Sequence, residues 1–484
     1  MNPGFHKAMR IVGAILVALF FQAAAVIIVS AQTINTQKET GDVQQLKDKV
    51  RQLEQTVEEL KKQIGSIESS QAKTDAAAVG EKGPAEPPIV SDKSVVKPVG
   101  DKPAQDKKGE STLEIYGFAM LDAGYQFGQN HPDWFDVIRP TKLPSFKNEF
   151  APNGKTYWGV RQSRFGVKTS TPTKWGDLKT QFEFELFGTG VDAGQTTFRL
   201  RHAYGELGQF GAGQTWSPFM DIDVFPNSLE YWGPTGMVFF RNVQVRWMPI
   251  KGRSRVTIAL ERPGASADQG VYADRIELQG VKPKFAWPDL SWEARYGKDW
   301  GYVELAGIFR SLRWVDTNKD QFDLGGSALG WGLNLSSNLN FTKKDIGRFQ
   351  AVYGEGIQNY MNDAPTDVGI KNNVGDPRRP IKGVALPAFG VVAFLDHTWN
   401  KKFSSAIGYS MLNITNSDAQ RPDEFHRGHY GLGNLLFYPV DNVTIGGEFQ
   451  WGRRENWRDG FGVNDFRMQF SFKYNFSKTL KFDL

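Results

Sequence analysis

Few residues in this chain are equipped to make or break bonds, and their spacing does not bring them together. None of the 484 residues is cysteine, which excludes thiolate nucleophiles, thiolate metal sites and disulfides. His426 and His429, in HRGH, have the look of a metal pair, but no helical pattern surrounds them to put both rings on one face. His397 follows Asp396, and neighbours on a strand point to opposite faces, so the two are not aligned as a triad. GTGVDA, from Gly188 to Ala193, matches a dinucleotide fingerprint only loosely and joins two strand-like segments with no helix after it. The sequence predicts neither an enzyme nor a cofactor.

The chemistry that does recur is that of the guanidinium. Arg164, Lys168, Arg199, Arg201, Arg246 and Arg255 all occupy the parity opposite apolar residues, the polar face of extended segments. Guanidinium forks bind carboxylates bidentately, so such a wall would attract anions. Pairing across Gly188 to Thr196 gives two of them a competing role, because it sets Glu185 opposite Arg199 and Glu183 opposite Arg201 as cross-strand ion pairs. Arg295 and Glu304 are placed alike across KDWG. No carboxylate is evident opposite Arg164, Arg246 or Arg255, which makes these three the better candidates for an anion-selective role.

The elements that must position them are strands. In NDFRMQFSFKYNF, Phe466, Met468, Phe470, Phe472, Tyr474 and Phe476 share one parity, and Arg467, Gln469, Ser471, Lys473 and Asn475 the other. Leu178, Phe182, Phe184 and Leu186 lie likewise opposite Lys179, Gln181, Glu183 and Glu185. Connections alternate between short ones, such as KDWG and NKK, and long ones, such as Gly128 to Thr156, Asp221 to Gly236, Arg262 to Pro288 and Asn362 to Pro387. Counting strands between them predicts sixteen antiparallel strands with both ends on the short-turn side, the pattern of an all-β outer-membrane barrel. Closure is demanded, since an open sheet edge in hydrocarbon strands backbone groups at several kcal/mol each, by about. One face then meets lipid and the other a wet lumen.

The segments before the barrel agree. Lys7 and Arg10, an apolar run from Ile11 to Val29, and Val29-Ser30-Ala31 predict a signal peptide over 1–31. Val43, Leu46, Val50, Leu53, Val57, Leu60, Ile64 and Ile67 form heptads, and Asp42 with Lys47 and Lys49 with Glu54 fit parallel g–e pairing, so 32–70 reads as an α-helical coiled coil for oligomerisation. Residues 71–110 read as a disordered linker carrying Pro84, Pro87, Pro88, Pro98 and Pro103. The barrel is expected over 111–484, its last clear strand ending near 476. Every aromatic residue except Phe5, Phe20 and Phe21 falls after residue 110. A net charge of +5 and no basic helix argue against nucleic acid as a partner.

Several stretches carry a resemblance to known proteins. SRFGVKTS (Ser163 to Ser170), RHAYGELGQFGAGQTWS (Arg201 to Ser217) and RNVQVRWMP (Arg241 to Pro249) resemble strands of bacterial general porins. GQTWSPFMD (Gly213 to Asp221), YGEGIQNY (Tyr353 to Tyr360), GRREN (Gly452 to Asn456) and the heptads before the barrel resemble DcaP-like porins more narrowly. The resemblance implies a homotrimeric diffusion channel in the outer membrane, its coiled coil in the periplasm, passing small anionic solutes such as dicarboxylates. It also implies that the loop after the fifth strand, with Asp221, Asp223 and Glu230, folds inward as a constriction. Two features strain it. SKTLKFDL follows Phe476, where such barrels usually end: either the last strand runs on, since Leu480, Phe482 and Leu484 keep its parity, or the tail weakens assembly. Valine at a with leucine at d also favours two-stranded coils. A sugar channel with an aromatic slide is the nearer alternative and an outer-membrane barrel enzyme the more distant one; most strand aromatics, however, fall on the lipid parity.

Overall fold

The structure is a computed structural model that describes residues 110–483; the predicted signal peptide, heptads and linker lie outside the described residues. Sixteen long strands form the wall. The first six are β1 (Glu110–Gln126), β2 (Arg164–Thr173), β3 (Gly176–Phe187), β4 (Thr196–Leu207), β5 (Phe210–Trp216) and β6 (Arg241–Ile250). β7 (Arg255–Glu261), β8 (Asp289–Lys298), β9 (Gly301–Asp316), β10 (Gly326–Asn340) and β11 (Asp345–Glu355) follow. The last five are β12 (Pro387–Asn400), β13 (Phe403–Ile414), β14 (Phe425–Phe437), β15 (Val443–Asn456) and β16 (Gly462–Asp483). Each pairs antiparallel with the next, and β16 returns to β1 from Glu110↔Asp483 to Gln126↔Arg467, so the sheet is closed. Lys155–Gly159 prolongs β2 along the upper half of β1, and Val281–Pro283 lies beside the upper end of β9. The loop between β11 and β12 carries its own hairpin, Val368–Asn372 with Ile381–Ala385.

Parity sorts the two faces as the alternation predicts. On β16, Phe470 is 58% exposed while its neighbours Gln469 and Ser471 are buried. Aromatic side chains stand exposed near the strand ends, Trp175, Tyr296, Trp300 and Trp399 on the short-turn side and Trp158, Phe198 and Trp287 on the long-loop side, as girdles at two membrane interfaces do.

Two features depart from the sequence reading. β16 does not end near 476 but runs to Asp483, with Leu480 opposite Leu113 and Phe482 opposite Ser111. The alternation never breaks after Phe476, and β1 offers a partner for every added residue. β15 does not, because its pairing stops at Val443↔Tyr474, so the last residues of β16 pair on one side only, with a stretch of β1 that β2 holds on the other. The second departure is an apolar stretch of lumen wall. On β12, Val392 and Phe394 are buried inside the ring while Leu395 is exposed outside, so both faces are apolar. Long loops cover that wall from within. Ile138, Val224 and Met237 pack on Val392, Phe394, Ala406, Tyr430 and Leu432; Phe219, Val238 and Ile357 pack on Ile308, Val352, Ala388 and Leu412.

Replacing Phe470 by Arg would put a cation on the lipid face, at a cost of about 2 to 4 kcal/mol near the bilayer midplane. The expected outcome is a clear fall in the yield of heat-modifiable barrel on unboiled gels; Gln469→Arg, on the other parity, does not face lipid and should reduce that yield less.

Candidate pore wall and inward loop

The connection between β5 and β6 turns into the barrel. It leaves β5 at Ser217, whose hydroxyl donates to Glu261 on β7 at 2.6 Å, and Asp221 then starts a single 3-10 turn, Ile222–Val224. Asp221 is fully buried and is the anchor. It accepts from Arg295 Nη2 (2.6 Å), Tyr302 (2.7 Å) and Ser336 (2.6 Å), on three successive strands. Burial alone would raise this carboxyl, but Arg295 and Arg255 hold it below the usual carboxylate range. Arg295 also reaches Asp223 and donates to Glu304 at 2.6 Å, which is its register partner across the β8–β9 turn as the sequence predicts.

From there the loop follows the inner wall. The Asp223 carbonyl accepts from Asn338 (2.7 Å) and Arg348, the Asn227 carbonyl from Asn434 (2.9 Å), and Glu448 accepts from the backbone N–H groups of Leu229 (2.8 Å) and Glu230 (3.1 Å). Gln162 and Gln469 donate to the Leu229 carbonyl at 3.0 and 3.2 Å. A loop buried inside a barrel must satisfy its backbone groups, and here side chains of the wall do so. The return limb lies flush on β12 and β13: Gly236 has φ +73°, and a Cβ there would stand 2.0 Å from the Met411 carbonyl oxygen. Only glycine fits. Glu230 is buried where the loop turns back, accepting from Ile138 N–H (3.2 Å), Gly233 N–H and Tyr430 (3.4 Å); burial pushes its carboxyl up to about 8.

The predicted cations all line the inner face, but their partners differ from the sequence reading. Arg164 is not free of carboxylates. It lies 3.6 Å from both Glu183 and Glu185, and Glu185 is its register partner across the β2–β3 turn. Nor is Arg255 free, since it sits 2.9 Å from Glu293 on β8 and 2.9 Å from Glu304 on β9. Long side chains on the concave side of a barrel converge, so partners come from one and two strands away. Arg199 faces Glu185 as expected, at 3.4 Å. A register shift in β4 sets His202, not Arg201, opposite Glu183; Arg201 still reaches Glu183 (2.5 Å) and Glu185 (2.6 Å). Arg241, which the sequence reading missed, completes the group at 3.7 Å from Glu185. Among the described residues Arg246 and Lys168 make no ion pair, although Glu114 on β1 is the register partner of Lys168; the two cations lie over the rings of Tyr204 (4.6 Å) and Tyr116 (4.4 Å). Lys473 on β16 joins them, over Phe118 at 4.0 Å.

Four guanidiniums (Arg164, Arg199, Arg201, Arg241) thus surround two carboxylates, whereas Arg255 and Arg295 share four: Asp221, Asp223, Glu293 and Glu304. The inner wall carries a cation-rich arc on β2 to β6, and next to it a carboxylate-rich arc that binds the loop. The histidines are dispersed: His202 contacts Thr215, His397 Asp345, His426 Asn416 and His429 Tyr409.

A sequence model of the DcaP outer membrane protein family matches residues 35–476. The chain belongs to that family. Among solved structures it resembles the outer membrane channel DcaP of Acinetobacter baumannii, with 18% identity over 77% of this chain and 99% of that one, at a TM-score of 0.64. An anion-selective porin from Comamonas acidovorans follows, 10% identical over 76% of this chain and all of that one, at 0.49, and a loop L8 deletion mutant of OmpT of Vibrio cholerae, 11% identical over 76% and 99%, at 0.46. No curated protein sequence matches. This DcaP family member is therefore an outer-membrane β-barrel of the porin type, a class of channels and not of enzymes.

Because the Glu230 carboxyl is raised, the folded state holds its proton between about pH 4.5 and 8 while an unfolded loop does not. Its contribution to loop docking is present below that window and lost as pH rises through about 8. Amide exchange in residues 224–236 is expected to be faster at pH 8.5 than at pH 5.5 after correction for intrinsic rates, and Glu230→Gln should flatten the difference. Glu448→Ala should speed exchange at both pH values, since it orphans two buried N–H groups at roughly 1 to 3 kcal/mol each.

Proposed function

We propose that this protein is a passive diffusion channel for small hydrophilic solutes with a preference for anions such as dicarboxylates. The observation that carries the reading is the excess of positive charge on the solute-facing wall: four guanidiniums around two glutamates, and Lys168, Arg246 and Lys473, which among the described residues make no ion pair and lie over aromatic rings. Diffusion needs no catalytic group; it needs a wet lumen, a narrowing, and wall charges that lower the barrier without holding the solute. Arg164, Arg199 and Arg201 serve chiefly to keep each other and Glu183 and Glu185 in place, and Arg255 holds the carboxylates of the loop anchor. Arg246, Lys168 and Lys473 are left to meet the solute, and the loop from Asp221 to Gly236 sets the narrowing. The aromatic-slide alternative finds little support, because the lumen aromatics Tyr116, Phe118, Tyr204 and Tyr302 each lie beneath a cation. By the same reading the channel assembles as a homotrimer with its heptads in the periplasm.

Reconstituted protein under a salt gradient should give a reversal potential of anion preference, and a cation preference would refute the proposal. Lys168→Glu with Arg246→Glu should weaken or reverse it, whereas Arg255→Gln should alter channel noise more than selectivity. Cross-linking of the full chain should yield trimers that disappear when residues 32–70 are removed; dimers would mean that valine at the a positions governs assembly.

A further inference from the structure

We infer that the outward face at the long-loop end of β9 is a binding site for the phosphate groups of an outer-leaflet glycolipid, held by Lys282, Lys284 and Arg313. Val281–Pro283 adds a short strand to β9 with Lys282 opposite Val315, and Lys284 N–H donates to the Arg313 carbonyl at 2.8 Å, which continues the same register. Alternate residues share a face, so Lys282, Lys284, Val315 and Arg313 stand together. That face is the outer one: Leu305 and Phe309, on the parity of Arg313, are exposed, and Ile308, Arg310 and Leu312 are buried inside.

Like charges directly opposite each other destabilise a sheet. Here two cations face each other and a third lies two residues along, all three exposed. Among the described residues none of the three side chains has an ion pair or hydrogen bond. Three exposed arginines elsewhere in the loops and turns do have a carboxylate, Arg253 with Asp299, Arg275 with Glu277 and Arg379 with Asp323. The residue opposite Arg313 on β10 is the neutral Ser327, and Asp316 is occupied by the backbone N–H groups of Asn318 and Leu324. What the cluster lacks is an anion.

Height above the bilayer core says which anion. Phe309 lies opposite Trp331, whose ring meets Tyr353 at 5.9 Å, an aromatic belt on the lipid face. Arg313 is four residues further up, about 13 Å along the strand, which puts three flexible cations over the polar layer beyond the hydrocarbon. In an outer membrane that layer carries phosphorylated glycolipid, and a guanidinium fork flanked by two ammonium groups suits a phosphate. β9 also stands across the ring from the β1–β16 seam.

The test compares detergent-purified wild type with the Lys282→Gln, Lys284→Gln, Arg313→Gln variant, titrated with fluorescent lipid A, with lipid A stripped of its phosphates, and with inorganic phosphate as competitor. The three changes lie outside the lumen, so heat-modifiable migration and conductance should match wild type. Lipid A affinity should fall by about 100-fold in the variant, and the stripped lipid should bind both proteins alike and weakly. Neutralising Lys343, Lys344 and Lys402, on the opposite rim, should leave lipid A binding intact. Equal lipid A affinity in variant and wild type would overturn the assignment. So would no loss on removing the phosphates, and so would displacement by free phosphate at low millimolar concentration, which would mark a plain anion site.

Discussion

Closure of the hydrogen-bonded ladder between β1 and β16 is the constraint on which everything else rests. In hydrocarbon a backbone donor or acceptor has no water to fall back on, so a sheet that crosses the membrane must leave no edge. Once the ring is closed, period-two alternation gives lipid one parity and the lumen the other. Phe470 and Gln469, adjacent in sequence, then live in opposite solvents. The interior is released from any need to be apolar and becomes the place where charge can be arranged.

That arrangement is mostly structural. Asp221 ties the inward loop to β8, β9 and β10 through Arg295, Tyr302 and Ser336, and Glu448 ties its far end to β15. Ion pairs this deeply buried are weak sources of net stability, since desolvation consumes most of the attraction, but losing one partner is costly because the other is left uncompensated. They therefore fix where the loop lies more than how firmly the barrel folds. Apolar contacts supply the adhesion, through Val224 and Met237 against the lumen face of β12 to β14. Lys168, Arg246 and Lys473 stand outside this lattice and rest on aromatic rings, which is why the proposed anion preference is assigned to them.

The barrel, its strand number and its facing were legible in the sequence because they follow from local alternation and connection length. The partners of Arg164 and Arg255 were harder to read. Adding residue numbers across the β3–β4 connection revealed Glu185 with Arg199; the same arithmetic across the β2–β3 turn would have revealed Arg164 with Glu185. Arg255 was beyond that method, since Glu304 is two strands away and the contact depends on inward convergence. The shift that puts His202 opposite Glu183 is a local irregularity with no signature in spacing. One signal was present and unused: Val391, Val392, Phe394 and Leu395 make β12 apolar on both parities, which in a barrel means that something covers it from inside.

A chain without cysteine invites a direct test of the inside-out facing. Single cysteines placed in turn from Phe466 to Tyr474, spin-labelled and reconstituted in lipid vesicles, report oxygen and polar-relaxant collisions residue by residue. The barrel predicts high oxygen accessibility at 466, 468, 470, 472 and 474 and little at the residues between; uniform accessibility along the segment, or the opposite phase, would contradict it.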